Sequence, residues 1–440
     1  MKILLTASNT CTDPYPVYPL GMSVIAQALA AAGHDVKQFD VAVSGLGALP
    51  EAIRSFSPEA VGISIRNLDS VNSRTPGQDF LRMPVAMAEV IRGQTDAPLI
   101  LGGSGFSLLP EEILKLTGAD YGVIGEGESA MTELIAILAR GGKPESRLIR
   151  GCGGVQCGAL YQQDIRDYYC RLTHILPVQT KRGCPFHCVY CTYPALEGCS
   201  MRMRDPAGVA GQLEELAAEL PDVMFYFVDA VFNDPAREYH RLLKEMEQRS
   251  LTVPFAAFLT PGGLNAEDLD LLCSRGMIAA ELGIDGAADE TLRGLGKNFD
   301  FGTAARVCRE LLARNVGVTA NVMFGGPDET WETVRRGIGN LRSIEPVHTL
   351  VFSGIRILPH TPLFALAKKE NVVPPDWNGR DEIYYYAPGI EPERLHRELC
   401  EGFAASSCCI YPPHACNDSL KTLHRFGYAN YRKLTGTGAE

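Results

Sequence analysis

A short segment near the middle of the chain carries three closely spaced thiols. It reads Cys-Pro-Phe-His-Cys-Val-Tyr-Cys from Cys184 to Cys191, with Cys188 between the two ends. Thiolates are soft ligands that suit zinc and iron–sulfur clusters. Three of them on one loop can hold three corners of a cubane cluster and leave the fourth iron without a protein ligand. The segment therefore predicts a four-iron four-sulfur centre with one open iron.

A structural zinc site is the alternative for the same segment. Cys199 or His187 would then supply the fourth ligand. Structural zinc usually takes two separated pairs of ligands, and no second Cys-x-x-Cys pair follows downstream in this sequence. The spacing favours the cluster and leaves zinc as the competing hypothesis.

The composition is that of a globular chain with more than one domain. Of its 440 residues 46% are hydrophobic and 21% are charged, and the length suggests two or three domains. The net charge of -11 argues against nucleic-acid binding as the main task, because a duplex-binding surface needs clustered Lys and Arg. We therefore expect a small-molecule or peptide substrate and no nucleic-acid partner.

The sequence carries no pattern for export or for a membrane span. The apolar start is short and is soon followed by Asp13, Pro14 and Pro16, unlike a signal peptide. No apolar run approaches the length that a bilayer requires. The 14 cysteines lack the dense spacing of a small secreted scaffold and fit a reducing compartment. We expect a cytoplasmic protein without a membrane partner.

The cysteine segment resembles the signature of the radical S-adenosylmethionine superfamily. The match consists of Cys184, Cys188 and Cys191, with aromatic Tyr190 before the last cysteine. In that superfamily the methionyl group of S-adenosylmethionine chelates the open iron of the 4Fe-4S cluster. One electron, from an external donor such as flavodoxin or ferredoxin, then splits the sulfonium to give a 5′-deoxyadenosyl radical. The resemblance implies a covered active site, since so reactive a species must be kept from water.

Residues 175–371 are predicted to form a partial (β/α)6 barrel of the TIM type around this segment. Six β-rich runs alternate with helical periods there, which is typical of parallel strands with helical crossovers. The predicted strands are Ile175–Lys181, Val223–Val228, Pro254–Leu259, Ala279–Gly283, Val316–Phe324 and His348–Ile357. The cysteine segment follows the first strand, at the end where such barrels place their active sites.

Further residues of the predicted barrel resemble cofactor-binding segments of the superfamily. Asp229 ends the second strand in a segment like the one that contacts the methionyl end of the cofactor. Asp285 ends the fourth strand, where relatives commonly carry a glutamate, so its contact is one methylene short. Lys297 follows as in relatives, and a Gly-Gly-Pro turn ends the fifth strand. The resemblance implies these S-adenosylmethionine-binding residues: Tyr190, Asp229, Asp285, Gly325, Gly326 and Pro327.

Residues 1–140 are predicted to form a Rossmann-like, doubly wound parallel sheet. Short apolar strands alternate with helices, and ligands of such sheets lie beyond the carboxyl ends of the strands. Those ends carry glycines, which admit the close approach of a large ligand but which turns need anyway. The candidate ligand-binding residues are Leu20, Gly21, Ser64, Arg66, Gly102, Gly103, Gly125, Glu126 and Gly127.

Together these loops resemble the cobalamin-binding domain that often precedes a radical S-adenosylmethionine domain. Pro-Leu-Gly at 19–21 and Gly-Glu-Gly-Glu at 125–128 resemble the N-terminal pattern of that family, and Gly102-Gly103 resembles its glycine pair beneath the corrin tail. The Asp-x-His-x-x-Gly segment that supplies a cobalt ligand in other cobalamin proteins is absent. The resemblance implies base-off cobalamin with no histidine on its lower face and with Arg66 or a first-loop tyrosine nearby. A domain of this family that no longer binds cobalamin would lack the same histidine segment.

The remaining segments are predicted to be a linker at 141–174 and a small C-terminal cap at 372–440. Arg356 ends the last predicted strand and is a candidate for clamping a substrate carboxylate, with a loop ion pair as the alternative. The cap carries Cys408, Cys409 and Cys416. These three cysteines are either ligands of a metal or of a substrate atom, or simply packed thiols.

The leading hypothesis for function is cobalamin-dependent radical methyl transfer to an unactivated carbon. The alternative keeps the cluster but transfers the 3-amino-3-carboxypropyl group of S-adenosylmethionine to a thiophilic acceptor, such as trivalent arsenic held by the three C-terminal cysteines. A third hypothesis is a cobalamin or iron–sulfur sensor without catalytic activity. It is the least favoured, because a sensor needs no barrel with an open iron.

Overall fold

The structure is a computed structural model and describes residues 1–151, 153 and 157–418. Its first layer is a parallel sheet whose strands are β1 (Lys2–Ala7), β2 (Asp35–Asp40), β3 (Ala60–Ser64), β4 (Leu99–Gly102), β5 (Tyr121–Gly125) and β6 (Leu148–Gly151). The strand order is β2-β1-β3-β4-β5-β6. The helices of this part are α1 (Leu20–Ala31), α2 (Val41–Ser44), α3 (Leu49–Phe56), α4 (Arg82–Arg92), α5 (Ser104–Leu108), α6 (Pro110–Thr117) and α7 (Gly127–Ala139).

The segment that the sequence predicts as a linker contributes a strand to this sheet. β6 pairs with β5 in parallel, from Gly122 with Leu148 to Gly125 with Gly151. The segment ends in α8 (Gln163–Thr173), which leads into the second sheet. Its few branched residues, Leu148 and Ile149, give too short an apolar run to predict a strand from periodicity.

The second sheet is the predicted barrel. Its strands and the short hairpins beside it are β7 (Ile175–Val178), β8 (Lys181–Arg182), β9 (Arg202–Met203), β10 (Met224–Phe227), β11 (Phe255–Leu259), β12 (Met277–Asp285), β13 (Gly317–Phe324), β14 (His348–Ser353), β15 (Ile355–Arg356), β16 (Tyr384–Tyr385) and β17 (Cys409–Ile410). The seven-stranded sheet runs β17-β14-β13-β12-β11-β10-β7, and all its pairs are parallel. All six predicted barrel strands are present, and β17 from the predicted cap extends the sheet by one strand.

Helices follow the barrel strands and cover their outer face. They are α9 (Tyr193–Glu197), α10 (Pro206–Glu219), α11 (Tyr239–Gln248), α12 (Ala266–Ser274), α13 (Asp289–Gly294), α14 (Phe301–Ala313), α15 (Trp331–Arg342), α16 (Pro362–Lys369) and α17 (Pro392–Phe403). Short 3-10 turns lie at Leu46–Ala48 and Pro413–Cys416. The predicted fold class, a Rossmann-like sheet followed by a partial barrel, is confirmed. In the described part of the chain, no helix combines the length and the apolar character needed to cross a bilayer.

Strand alternation separates the core of the barrel from its interior. On β13 the residues Val318, Ala320, Val322 and Phe324 are buried, while those between them are half-buried. Because side chains alternate between the two faces of a strand, the buried set packs under the helices and the other set faces the interior. Burying a side chain as large as Phe324 contributes about 2–3 kcal/mol. The helix side thus stabilises the fold and leaves the interior face available for chemistry.

A fully enclosed ion pair anchors the chain just before the cysteine segment. Lys181 Nζ lies 2.6 Å from Asp234 Oδ1, and both side chains are 0% exposed. The ammonium also donates to the carbonyl oxygen of Phe232. A buried pair of this kind adds little net stability, but removing one partner leaves the other charge buried and unpaired.

We expect Lys181→Met to lower the free energy of unfolding by about 3–5 kcal/mol, because Asp234 keeps its burial and loses its cation. Urea unfolding of the two proteins measures the difference. The double variant Lys181→Met, Asp234→Leu should recover most of the loss, since no charge is then left buried. Arg54→Met, which removes an exposed ion pair with Glu51, is the control and should cost less than about 1 kcal/mol. A double variant as unstable as Lys181→Met would contradict this account.

Candidate functional site

A cavity of about 1040 Å³ lies between the first sheet and the barrel. Strand ends of the first sheet contribute Ser64, Gly102 and Gly125 to its wall, and the barrel contributes Gln179 and Leu350. The volume lies at the upper end of the range for ligand pockets, about 300–1,000 Å³. The position is the one expected for doubly wound sheets, beyond the carboxyl ends of the strands. We call it the interdomain cavity.

The interdomain cavity is where the structure places the cobalamin-binding candidates. All nine line it: Leu20, Gly21, Ser64, Arg66, Gly102, Gly103, Gly125, Glu126 and Gly127. They come from four separate loops of the first sheet, which the parallel topology brings to one edge. Their role as cobalamin ligands stays a prediction.

Two of these glycines differ in what a larger residue would meet. Gly103 has φ of +103°, and a Cβ there would lie 2.4 Å from the carbonyl oxygen of Ile65. Only glycine lets the chain after β4 pass so close to the end of β3. Gly21 differs, since a Cβ there would meet no atom within 4 Å. It leaves open space at the cavity wall.

The cavity continues into the apolar core of the first sheet. Leu5, Gly62, Ile100, Val123 and Met131 line this inner part. An apolar slot between strands suits a flat aromatic group better than a charged one. A large opening joined to such a slot fits the bulky ring and the detached base of base-off cobalamin.

The lining has one histidine among the described residues, and it does not come from the first loop. His414, in the C-terminal segment, lies on the cavity with its Nδ1 3.2 Å from Asn72 Nδ2. The first loop contributes Cys11, Asp13 and Pro14 instead. The side of the cavity formed by the first loop therefore carries no imidazole, as the sequence predicts.

Backbone contacts on both sides hold the cysteine segment. Cys184 N donates to Gly198 O at 3.1 Å, and Cys191 N donates to Cys188 O at 3.1 Å. Gly296 packs so closely that a Cβ there would lie 2.7 Å from the carbonyl oxygen of His187. The loop conformation is thus fixed by its neighbours, which presents the three thiols from one rigid platform.

The thiol arrangement fits a cluster better than a single zinc ion. The three sulfurs are close enough to interact electrostatically. In the part of the chain that the structure describes, however, no three His, Cys, Asp or Glu side chains are gathered around one metal ion. Thiolates of a cubane bind different irons, whereas zinc needs four ligands at about 2.0–2.3 Å from one centre.

A carboxylate and an ammonium lie beside the cysteine segment. Tyr190 donates its hydroxyl to Asp285 Oδ2 at 2.7 Å, and Lys297 forms an ion pair with the same oxygen. Lys297 Nζ also contacts the thiol of Cys188. Burial lowers the pKa of Lys297, but the charges of Asp285 and Cys188 outweigh this and raise it. The site therefore keeps a positive charge next to the predicted cluster.

The carboxylate of Asp229 makes its hydrogen bonds within the protein rather than facing an open pocket. Its carboxylate accepts hydrogen bonds from Thr180 N at 2.7 Å, Lys181 N at 3.0 Å and the Thr180 hydroxyl at 2.5 Å. Both oxygens are thereby occupied, and burial raises the pKa of this carboxyl. Asp229 positions the residues that lead into the cysteine segment. Its predicted contact with S-adenosylmethionine stays a prediction.

The glycine turn at 325–327 is braced by a buried acid. Gly325 N donates to Glu329 Oε2 at 3.2 Å, and the Thr333 hydroxyl donates to the other oxygen. Gly325 has φ of +93°, so this tight turn depends on glycine. Burial raises the pKa of Glu329 to about 7. The turn that the resemblance assigns to S-adenosylmethionine thus carries a carboxyl that titrates near neutrality.

The contribution of Glu329 to the free energy of unfolding should fall as the pH rises. The pKa of Glu329 in the folded protein lies above its unfolded value of 4.5, so the folded protein holds a proton on this carboxyl more tightly than the unfolded chain does. The stabilisation that this proton gives is complete below pH 4.5 and is lost as the pH rises to about 7. Relative to Glu329→Gln, we expect the wild type to lose about 2–3 kcal/mol between pH 5 and pH 8. Urea unfolding of both proteins at each pH gives the difference. A difference that does not change with pH would contradict the assignment.

Arg356 does not reach the interdomain cavity. The side chain is buried, its Nε lies 2.7 Å from Asp69 Oδ2, and its other nitrogens donate to the carbonyl oxygens of Ile357 and Gly379. The ion pair with a loop, the alternative to a substrate clamp, is what the structure contains. It ties the loop after β3 to β15, which pairs with β16 outside the seven-stranded sheet, and the sequence did not indicate this partner.

The two C-terminal thiols that the structure describes do not line the interdomain cavity. Cys408 and Cys409 are buried, and Cys408 O accepts a hydrogen bond from Thr349 N at 2.9 Å beside β17. Burial raises the pKa of the Cys409 thiol. The side chain of Cys416 lies outside the described residues. The two described thiols are packed against the sheet, which matches the alternative of packed thiols.

A network of ion pairs joins the first sheet to the cysteine segment. Arg182 Nη1 lies 2.7 Å from a carboxylate oxygen of Glu128, and Arg202 pairs with Glu126. Glu197, from α9, accepts a hydrogen bond from Gly183 N at 3.0 Å. The carboxylate of Glu126 thus binds arginine, although the residue also lines the cavity. The two glutamates and two arginines are visible in the sequence, but their spacing does not show that they form ion pairs.

Comparison with known proteins agrees with both parts of this picture. Residues 10–135 match the B12 binding domain family, and residues 178–338 match the Radical SAM superfamily. The first match covers the loops of the interdomain cavity, and the second begins just before the cysteine segment. The predicted cofactors, cobalamin together with the cluster and S-adenosylmethionine, are confirmed.

Curated relatives include several methyltransferases. Tryptophan 2-C-methyltransferase of Streptomyces laurentii is 24% identical, covering 78% of this chain and 71% of the relative. An uncharacterised methyltransferase of Pyrococcus horikoshii is 23% identical, with 77% of each chain covered. Hopanoid C-3 methylase of Methylococcus capsulatus is 21% identical, covering 74% of this chain and 67% of the relative.

Solved structures share the fold over almost the whole chain. The radical S-adenosylmethionine methyltransferase TsrM from Kitasatospora setae, with cobalamin and a [4Fe-4S] cluster bound, superposes with a TM-score of 0.85 at 23% identity, covering 99% of this chain and 98% of that chain. The cobalamin-dependent enzyme OxsB gives a TM-score of 0.71 at 13% identity, covering 97% and 72%. The chain belongs to the radical S-adenosylmethionine superfamily, in the class with an N-terminal cobalamin-binding domain.

Proposed function

We propose that this protein methylates an unactivated carbon of a small molecule. When bound, S-adenosylmethionine supplies the methyl group and the cluster-dependent radical, and cobalamin supplies the methyl carrier. The observation that carries the proposal is the shared wall of the two sites. Thr192 and Tyr193 directly follow Cys191 and line the interdomain cavity. The cavity and the cluster loop therefore face one reaction space.

We assign the cofactor sites to the residues around that space. Cys184, Cys188 and Cys191 hold the cluster. Tyr190, Asp285 and the turn at 325–327 contact S-adenosylmethionine, while the nine lining residues of the first sheet hold cobalamin. This assignment is supported by the ordered cysteine loop, by the Tyr190 contact with Asp285 and by the open space at Gly21.

Residues between the two sites orient them and keep water out. Arg182 immediately precedes the cysteine segment and pairs with Glu128 in the first turn of α7. Arg202 reaches Glu126 beside it and also donates to the Glu197 carbonyl oxygen at 2.7 Å. These contacts fix the cluster loop over the carboxyl ends of β4 and β5. A radical formed there is shielded by protein on that side.

The fate of S-adenosylmethionine tests the reaction class. With reductant and substrate, methyl transfer leaves S-adenosylhomocysteine, whereas transfer of the carboxypropyl group leaves 5′-methylthioadenosine. We expect cobalamin-loaded protein to form S-adenosylhomocysteine and a methylated small molecule, with a methyl label from S-adenosylmethionine in the product. Accumulation of 5′-methylthioadenosine, or equal methylation without cobalamin, would overturn the proposal.

The carboxypropyl alternative receives no support from the structure. It needs thiols that converge on an acceptor atom, and Cys408 and Cys409 are buried beside β17. We also propose a flavodoxin or a ferredoxin as the external electron donor, since the cluster must be reduced from outside the chain. The cytoplasmic location and the lack of a nucleic-acid partner stay predictions.

A further inference from the structure

A second cavity, of about 380 Å³, lies between the barrel strands and the loops at the carboxyl ends of the first sheet's strands. Ile175, Val228 and Phe258 form part of its wall from the barrel strands. It shares Arg66 and Tyr193 with the interdomain cavity. The two spaces are thus adjacent, and a molecule in the second one would border the proposed reaction space. We call it the barrel cavity.

Aromatic rings dominate the described wall of the barrel cavity. Tyr226 and Phe258 lie with ring centroids 5.1 Å apart, and Tyr15 packs beside them from the first loop. Tyr18, Tyr169 and Tyr193 also contribute rings to the wall. Such rings offer a flat apolar surface, and their faces also attract cations.

One carboxylate lies within this aromatic wall. Glu281 occupies the middle of β12, on the same strand face as Gly283 and Asp285. It lines the barrel cavity, and its half-buried surface faces that enclosed space. Four residues of strand separate it from Asp285, which places it roughly 13 Å deeper in the barrel than the contact with Tyr190.

Glu281 forms no ion pair in the described part of the chain, although Arg66 lines the same cavity. Its carboxyl receives a hydrogen bond from Tyr226, and no Lys, Arg or His described in the structure forms an ion pair with it. Burial raises the pKa of this group. Asp40, another acid on the same cavity, differs because it accepts hydrogen bonds from the Tyr169 hydroxyl and from Ala42 N, each at 2.8 Å.

Burial makes the ionised form of this carboxyl costly and favours the protonated form. A ligand that brings a positive charge removes the cost. The aromatic wall adds affinity for the same charge and for a flat body attached to it. The carboxyl of Glu281 and the aromatic wall therefore favour a positively charged ligand with a flat body.

We propose that Glu281 anchors the methyl acceptor by binding a protonated amine on a flat, largely apolar small molecule. The amine lies deep in the barrel cavity against Glu281 and Tyr226. The rest of the molecule extends toward Arg66 and Tyr193, which line both cavities, so that the reacting carbon borders the interdomain cavity. This inference rests on the proposed methyl transfer for the identity of the molecule as substrate, while the binding site itself is independent of it.

Direct binding tests the anchor with defined probes. Phenethylamine, tyramine and 1-naphthylmethylamine are titrated into the cluster- and cobalamin-loaded protein, each beside the neutral analogue in which a methyl group replaces the amine. We expect at least one amine to bind at least tenfold more tightly than its neutral analogue. In Glu281→Gln this preference should fall below threefold. No binding of any amine, no preference for the amine, or an unchanged preference in the variant would overturn the proposal.

Two further variants keep the test decisive. Asp40→Asn alters an acid of the same cavity whose hydrogen bonds are already made, and it should leave the amine preference within twofold of the wild type. Glu281→Asp keeps the charge but withdraws it by one methylene, so it should give an intermediate preference, and it replaces Glu281→Gln if that variant fails to fold. Iron and cobalt contents are measured on every sample. Normal amine binding without cobalt would leave the anchor standing and count against the proposed function.

Discussion

Cys188→Ser should strip the protein of its cluster while leaving the fold intact. Iron content is expected to fall to a small fraction of the wild-type value, because serine is a poor ligand for the corner that Cys188 fills. Reductive cleavage of S-adenosylmethionine should then drop by at least about a thousandfold, or about 4 kcal/mol in barrier terms. Anaerobic iron and sulfide analysis, with quantification of 5′-deoxyadenosine, measures both effects.

Cys199→Ser is the matched control for this experiment. Cys199 is exposed and lies just beyond α9, and together with His187 it is one of the two candidates for the fourth ligand of a zinc site. The cluster assignment predicts unchanged iron and unchanged cleavage in this variant. Loss of metal in Cys199→Ser, equal to that in Cys188→Ser, would favour zinc and contradict the assignment.

Gly21→Leu should empty the interdomain cavity of cobalamin. Gly21 lies in the first turn of α1, and a Cβ there meets no protein atom within 4 Å, so the added side chain enters open space at the cavity wall. The fold should tolerate it, whereas a ligand that fills this space cannot. We expect cobalt per chain to fall at least tenfold, with iron unchanged.

Gly339→Leu is the control for replacing a helical glycine by leucine. Gly339 is also a helical glycine with no atom within 4 Å of a Cβ, but it lies on the exposed side of α15, away from both cavities. Cobalt content should match the wild type there. Equal cobalt in Gly21→Leu and the wild type would mean that the ligand does not approach α1, and the cobalamin site would have to be redrawn.

The features that the sequence predicts well are local in the chain. The three thiols lie within eight residues, and each barrel strand shows its own apolar run, so spacing and periodicity are enough. The glycines at the ends of β4 and β5 are equally local, and parallel topology then brings them to one edge of the sheet. This is why all nine cobalamin candidates line one cavity.

The features that were missed depend on contacts between distant segments. Arg356 pairs with Asp69 across 287 positions, and Arg202 pairs with Glu126 across 76. No pattern in the sequence pairs such residues, because ion pairs have no period and many partners are possible. Glu281 was missed for another reason. Its alternation with Gly283 and Asp285 was visible, but whether that face of β12 is filled or hollow depends on the closure of the barrel.

The central claim is that one chain holds a cluster and cobalamin across a shared space. The most direct test is anaerobic purification from cells supplied with cobalamin, followed by iron, sulfide and cobalt analysis and a visible spectrum. The account predicts about four irons and about one cobalt per chain, with a base-off corrin spectrum. Four irons without cobalt would contradict the shared site, and zinc in place of iron would contradict the cluster itself.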